Sequence, residues 1–493
     1  MILGKLLERL DYSLLQGDTS RDISAVIYDS RKVCPGCLFI AVVGARADGH
    51  RFLKTAAEAG AAAVVIEKGA SLPEDLVWPE ALTVIETENT RYAMALISAA
   101  WFGYPADTLP VIGITGTKGK TTTTYLVKSI LENAGYRVGL IGTIEIIIGN
   151  KHIPAEHTTP ESYVLQSYLR AMKDEGLNMV VMEVSSQALM LHRTAGIPFE
   201  IGVFTNIEPD HIGPAEHSSF ENYLSCKSLL FRQCRQGIFN ADDPHLEEIL
   251  RGHTCAVTTY AVDRDDADLT AGDIRHIHEP GYLGVRFTIR DSVRSLPVEL
   301  DIPGKFSVYN ALAAAAICRH FGIGDEAVVR ALKEARVKGR IEMIPVSDTF
   351  TLMIDYAHNA MALRSLLETL RDYHPKRLVC LFGCGGNRSR SRRFEMGEVS
   401  GRMADLTIIT SDNPRDEDPQ AIIDDIKTGI AKTAGRYVEI IDRREAIAYA
   451  IDHGQSGDII VLAGKGHEDY QEIKGQKYPM DERVIIEEHL KNR

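Results

Sequence analysis

The stretch VIGITGTKGKTTTTYLV, residues 111–127, decides the fold. A buried strand (LPVIGIT) runs into a glycine-interrupted turn (GTKGK) and then into an amphipathic helix (TTTTYLVKSIL). Strand, glycine turn and helix are the context in which backbone N–H groups cradle phosphate oxygens. Counting back from Gly119-Lys120-Thr121 puts Ile114 where the fingerprint G-x-x-x-x-G-K-[ST] has its first glycine; Gly113 lies one position earlier. The working parts are intact: Gly116 and Gly119 allow close backbone approach, Lys120 can reach terminal phosphates, and Thr121 can ligate Mg2+. A plain β–α turn would not account for Lys120.

The 493-residue chain is too long for one core, and the prior for domain size suggests about three. A formal charge of −13 argues against nucleic-acid or membrane-surface binding, so anionic ligands need local basic pockets. No apolar run reaches the roughly 20 residues that span a bilayer, and MILGKLLERLDYSLL breaks its leucines with charges as an amphipathic helix does. A cytoplasmic protein without membrane insertion is expected. The eight cysteines are scattered; Cys34 and Cys37 in CPGC lack a second pair for zinc, and all are expected to be unpaired structural thiols.

Strand-like runs (AAAVVIE, LPVIGIT, MVVMEVS, LVCLFG, DLTIITS, DIIVLAG) alternate with helical stretches, the pattern of an α/β protein with mostly parallel sheets. Seams at WFGYPADTLP (101–110) and KEARVKGRIEMIPV (333–346) predict domains of 1–105, 106–337 and 338–493. HTTPES and TNIEPDHIGPAEHSSF follow apolar strands in the middle domain, at the carboxyl edge where open α/β sheets bind ligands.

The run T-G-T-x-G-K-T-T resembles that of the Mur ligases, ATP-dependent amide-forming enzymes of peptidoglycan precursor synthesis. VMEVSSQAL, DHIGPAEHSSFENYLSCKSLLF, PGKFSVYNALAAAA, KGRIEMI, DYAHN, GGNRSRSRR, SDNPRDEDP and GKGHEDYQ are similar to further family motifs, in order along nearly the whole chain. The resemblance implies a small uridine-nucleotide-binding α/β domain, a central P-loop ATPase domain and a carboxyl-terminal Rossmann-like domain that takes an amino acid. It implies ATP and Mg2+ as cofactors and a UDP-MurNAc-dipeptide and meso-diaminopimelate as substrates; no nucleic-acid partner and a monomer are expected. A carboxylate becomes an acyl phosphate, and an amine then displaces phosphate.

Roles follow position by position. Gly116, Thr117, Gly119, Lys120, Thr121 and Thr122 would hold the triphosphate. Glu183, ending the strand NMVVMEV, is placed to reach a metal beside Thr121. The resemblance makes His211 a second metal's ligand and Lys227 a carbamylated lysine, modified by CO2, that helps hold it. It puts Asn310, Arg340 and Asp355 at adenine and ribose, so that ATP would bridge two domains. It assigns Ser30 in DSR, with Arg31 and ADGH (47–50), to the uridine diphosphate, and Thr158, Thr159, Ser185 and Arg193 to the muramoyl dipeptide. Arg388, Asp412, Asn413, Arg415, Gly464 and Glu468 would clamp the acceptor, with arginine for carboxylate and Glu468 for ammonium. DNPR (412–415) matches the form that reads a distal carboxylate, which lysine lacks.

The chain departs from the family pattern at Gln187 (for histidine), Asn359-Ala360-Met361 (for Thr-Pro-Asp), Ser389 (for aspartate), Phe394 (for proline) and within IGPAEHSSF, where His217 is a substitute histidine. These departures bear on the peptide substrate more than on ATP chemistry. The alternatives are a paralogous ligase adding L-lysine, glutamate or another amino acid, and a non-ligase P-loop ATPase or regulator. The latter would not need Glu183, His211, Lys227 and an arginine-rich third domain together.

Overall fold

The computed structural model describes residues 1–44, 47–210, 212–213, 216–279 and 281–492. The chain divides into two compact units: Met1–Ala267 with Ala316–Ile323, and Asp268–Ala315 with Gly324 onward.

The first unit opens with a five-stranded sheet of β1 (Ser13–Gln16), β2 (Val26–Ile27), β3 (Leu38–Ile40), β4 (Ala63–Glu67) and β5 (Thr83–Thr87), in the order β1-β5-β4-β3-β2. Only β1 runs antiparallel to its neighbour. Helix α1 (Thr90–Trp101), capped by the Asn89 side chain, presents Ala93, Met94 and Ile97 to Leu38, Ile40 and Val65.

Then come β6 (Val111–Thr115), α2 (Lys120–Asn133), β7 (Val138–Ile141), β8 (Glu145–Ile148), β9 (Lys151–Pro154), α3 (Ser162–Asp174), β10 (Met179–Glu183), α4 (Ser186–Met190), β11 (Phe199–Phe204), α5 (Phe220–Ser228), β12 (Cys234–Asn240) and β13 (Ala256–Ala261). Their order is β13-β12-β11-β6-β10-β7-β8-β9, parallel from β13 to β7 and antiparallel at β8 and β9. The central strands β6 and β10 are buried along their whole length, as expected of parallel strands covered on both faces. Glu183 pairs in register with Ile114, so the end of β10 stands beside the turn that follows β6.

In the second unit β14 (Leu269–Glu279), β15 (Tyr282–Arg290) and β16 (Ser295–Leu300) form an antiparallel ribbon. A six-stranded sheet follows: β17 (Glu342–Ile344), β18 (Thr351–Asp355), β19 (Arg377–Phe382), β20 (Leu406–Ile409), β21 (Tyr437–Glu439) and β22 (Asp458–Ala463), in the order β17-β18-β22-β19-β20-β21. All but β17 are parallel. Helices α6 (Ala360–Arg371), α7 (Arg390–Met403) and α8 (Pro419–Ile430) bury one core with Cys380, Phe382 and Val461, and α9 (Arg443–Asp452) buries another with Leu381 and Leu462. A hairpin of β23 (Tyr470–Ile473) and β24 (Gln476–Pro479) and a last helix, Glu482–Lys491, follow. All eight cysteines are free thiols.

Candidate active site

The phosphate loop is built by packing against β11 and the segment after it. Gly116 has φ +149°, and a Cβ there would stand 1.9 Å from Thr205 Oγ1, so the position admits only glycine. Thr117 N donates to the Asn206 carbonyl at 2.9 Å, and Lys118 N to Asn206 Oδ1 at 3.0 Å. Gly119 takes φ +85°, and α2 begins at Lys120 with no side chain capping its amino terminus. The first-turn N–H groups of Lys120, Thr121 and Thr122 stand where a helix favours an anion. Lys120 Nζ donates to the Gly116 and Thr117 carbonyls at 2.8 and 3.0 Å.

Lys227, on α5, donates to the same Gly116 carbonyl at 2.8 Å. Its side chain is 1% exposed and its ammonium lies 4.5 Å from the Tyr223 ring centre. Burial, and then the charge of Lys120, push its pKa well below the ordinary lysine value, while Asp210 opposes that shift. Tyr223 in turn bonds Thr117 Oγ1 at 3.1 Å, linking α5 to the loop.

Glu183, 1% exposed, gathers three donors. The Thr121 hydroxyl lies 3.0 Å from both carboxylate oxygens, Thr143 N donates to Oε1 at 2.8 Å, and Thr143 Oγ1 to Oε2 at 3.0 Å. Thr143 Oγ1 also bonds Thr158 Oγ1 at 3.0 Å. Hydroxyl and carboxylate oxygens side by side at a helix amino terminus are the hard donors that suit Mg2+. His211 lies outside the described residues.

The residues expected to hold the dipeptide are together and bonded to one another. Thr159 Oγ1 donates to the Glu183 carbonyl at 2.9 Å and accepts from Ser185 N at 3.0 Å; Ser185 Oγ caps α4 by accepting from Ala188 N at 3.2 Å. Arg193 donates to the Thr159 carbonyl at 3.0 Å and pairs with Glu161 at 2.6 Å. Gln187 is exposed on α4, next to Ser186, whose hydroxyl lies 2.8 Å from Nε2 of the buried His217. In the amino-terminal sheet Ser30 opens a short turn whose cap, Asp29, is held to a pKa of about 2 by hydrogen bonds from Arg31. His50 of ADGH is buried, accepting from Glu67 N at 2.9 Å and bonding Asp48 at 2.7 Å, which makes it a fold residue.

In the second unit Asp355 ends β18, buried, with its oxygens accepting from Ile341 N (2.9 Å) and Ala357 N (2.8 Å); burial raises its pKa. Arg340 stacks 4.7 Å from the Tyr356 ring, which also meets His467 at 4.8 Å. Burial and then Arg340 press the His467 pKa down to about 3. Asn310 is buried in the helix Lys305–His320.

The acceptor residues converge from the ends of β20 and β22. Gly464 has φ +108°, and a Cβ there would lie 2.9 Å from Asp412 Oδ2. Asn413 Nδ2 donates to Glu468 Oε2 at 2.9 Å. Arg415, at φ +50°, is oriented by Glu472 Oε2 (3.0 Å from Nε) and the Gly386 carbonyl (2.7 Å from Nη1). Of the run GGNRSRSRR, Arg390 and Arg393 are tied to Asp425, and Arg393 also to Glu417; Arg393 is buried, whereas Arg388 and Arg390 are exposed. Sequence reasoning did not single out Thr143, Tyr223, Lys465 or Glu472; the last two lie inside the quoted motif GKGHEDYQ or just after it.

Family profiles match along the chain: "Mur ligase family, catalytic domain" over residues 22–101, "Mur ligase middle domain" over 114–318, and "Mur ligase, glutamate ligase domain" over 339–466. A curated protein of Caldanaerobacter subterraneus subsp. tengcongensis, UDP-N-acetylmuramoyl-L-alanyl-D-glutamate--2,6-diaminopimelate ligase, is 43% identical over 477 residues, covering 97% of this chain and 96% of its own. The chain belongs to the Mur ligase family. The protein of that same description from Clostridium botulinum is 40% identical to this Mur ligase over 494 residues, all of both chains. A solved structure of a ligase so described has 30% identity, covers 100% of this chain and 99% of its own, and superposes with a TM-score of 0.72. Mycobacterium tuberculosis folylpolyglutamate synthase, solved with ADP and AMPPCP, shares the fold at 18% identity and a TM-score of 0.59, covering 76% of this Mur ligase and 92% of its own chain.

Proposed function

We propose that this Mur ligase joins meso-diaminopimelate to the D-glutamyl side-chain carboxylate of UDP-MurNAc-L-Ala-D-Glu, with ATP cleaved to ADP and phosphate. The enzyme is an ATP-dependent, ADP-forming amide ligase of peptidoglycan precursor synthesis. The observation that carries the acceptor assignment is the convergence of Asp412, Asn413, Arg415, Gly464 and Glu468 in one place, with the Arg415 guanidinium oriented by Glu472 and Gly386. A guanidinium fork addresses a carboxylate and Glu468 an ammonium, the two groups of an amino-acid head.

In this reading Lys120 and the first-turn N–H groups of α2 bind the terminal phosphates as the carboxylate oxygen attacks phosphorus. Thr121 and Glu183 would hold Mg2+, and His211 with a carbamylated Lys227 a second one. Bound there, the cation supplies charge neutralisation between two anions forced together. The fit rests on the oxygen donors around Glu183 and on Lys227, whose buried site disfavours the ammonium. A neutral amine adds CO2 and releases a proton, leaving a carboxylate-bearing lysine that suits a cation where an ammonium would repel it. Carbon-13 NMR of enzyme equilibrated with labelled CO2 and Mg2+ tests that step; no carbamate resonance, or one that survives in Lys227→Arg, refutes it. Asn310, Arg340 and Asp355 are assigned to the nucleoside, Ser30 to the uridine diphosphate, and Thr158, Thr159, Ser185 and Arg193 to holding the muramoyl dipeptide.

Among the described residues no helix is long and apolar enough to cross a membrane. Both the substrates and the eight free thiols fit a cytoplasmic protein. The deciding experiment is phosphate release from ATP with Mg2+ and UDP-MurNAc-L-Ala-D-Glu, comparing meso-diaminopimelate, L-lysine and no acceptor. Dependence on diaminopimelate is expected. Release that requires lysine would move the chain to a paralogous activity, and release without any acceptor would make it a hydrolase.

A further inference from the structure

Lys465 follows β22 and Gly464, and its side chain is 0% exposed. Its three ammonium hydrogens meet three acceptors: Glu468 Oε2 at 2.7 Å, Asn413 Oδ1 at 3.0 Å and the Tyr470 carbonyl. Two of those partners belong to the acceptor cluster. Asn413 cannot turn its amide over, because Oδ1 also accepts from Glu472 N at 2.9 Å while Nδ2 donates to Glu468 Oε2 at 2.9 Å. Reversal would set an NH2 group against an ammonium and an N–H. Both donors to Glu468 therefore fall on one oxygen, Oε2, and the carboxylate is only 16% exposed. A wholly buried ammonium is expensive to desolvate, and an apolar side chain of similar volume would satisfy packing alone. The charge is accounted for by what it holds in place.

We propose that Lys465 is a positioning residue for the acceptor. It fixes Asn413 and pins Glu468 through Oε2, so that Oε1 is the oxygen offered to the acceptor's ammonium. The proposal rests on the amino-acid-acceptor reading above. It also explains how one carboxylate already bonded to the Lys465 ammonium can still select a second cation: the two are assigned to different oxygens.

The test uses the full-length enzyme carrying Lys465→Met, with Lys465→Gln as a second variant that keeps a donor for Asn413 Oδ1 should the first fail to fold. Each substrate is varied in turn. The acceptor KM is expected to rise about 30-fold while kcat and the ATP KM stay within about twofold of the parent. In combination with Glu468→Gln, the lysine substitution should add less than about threefold further, since both act on the same contact. An equal rise in the ATP and acceptor KM values, or no rise in either, overturns the proposal, as does a full multiplicative effect on top of Glu468→Gln. If the parent enzyme prefers L-lysine, the diaminopimelate assignment fails on its own, and the same acceptor-to-ATP ratio measured with lysine still judges Lys465.

Discussion

Replacing Glu183 with glutamine separates what this residue does for the fold from what it does for the reaction. The carboxylate satisfies three donors: Thr143 N at 2.8 Å from Oε1, Thr143 Oγ1 at 3.0 Å from Oε2, and Thr121 Oγ1 at 3.0 Å from both. A glutamine amide oxygen in place of Oε1 keeps Thr143 N and the Thr121 hydroxyl. Its NH2 group in place of Oε2 faces Thr143 Oγ1, which can accept once its own hydrogen turns to Thr158 Oγ1 at 3.0 Å. No buried donor is orphaned, so the loss is the charge assistance of these bonds, about 1–2 kcal/mol of stability. The reaction loses more, because a neutral amide cannot help hold a cation beside Thr121. Removing one preorganised electrostatic contact costs about 100- to 1,000-fold in kcat, or about 2.7–4 kcal/mol. Urea unfolding and diaminopimelate-dependent phosphate release, each measured across a Mg2+ series, read the two quantities. A Glu183→Gln enzyme that keeps more than about a tenth of parental turnover would refute the role given to this carboxylate.

Three further outcomes are expected. A Cβ at Gly142 would lie 2.6 Å from Glu183 Oε1; Gly142→Ala should push the carboxylate off Thr121, lowering kcat by about tenfold or more for about 1–3 kcal/mol of stability, and unchanged phosphate release would contradict it. Arg415→Ala should raise the diaminopimelate KM by about 10- to 150-fold, the equivalent of about 1.5–3 kcal/mol for a charged hydrogen bond, with little change in the ATP KM; an unchanged acceptor profile would place carboxylate recognition elsewhere. For His467 the folded pKa of about 3 lies below the unfolded value of 6.5, so the unfolded chain binds the extra proton and stability falls as pH drops below about 6.5. At pH 5 the loss is about 2 kcal/mol, which His467→Phe should abolish; equal acid sensitivity of parent and variant in urea unfolding would disprove the assignment.

What could be read from the sequence was what is local in it. The phosphate loop carries its own strand, glycines, lysine and helix within residues 111–127, and Glu183 is legible because an apolar run must end at the sheet's carboxyl edge, in register with Ile114. The α/β class with mostly parallel sheets follows from the same alternation and is what the fold shows. Thr143 could not be found that way. It follows β7, and nothing in IGTIE marks a threonine whose backbone and side chain both serve a carboxylate forty residues later. Residue type also conceals partition. The run GGNRSRSRR offers several equivalent arginines, and only the positions of Asp425 and Glu417 reveal that Arg393 is buried in ion pairs within the unit while Arg388 and Arg390 stay exposed, Arg390 reaching Asp425 from the surface. The same holds at Lys465, where a motif lysine reads as one more basic residue until burial shows three acceptors closing around it. In each case the missing information is which partner arrives from a distant strand end, and that is set by sheet order rather than by neighbouring residues.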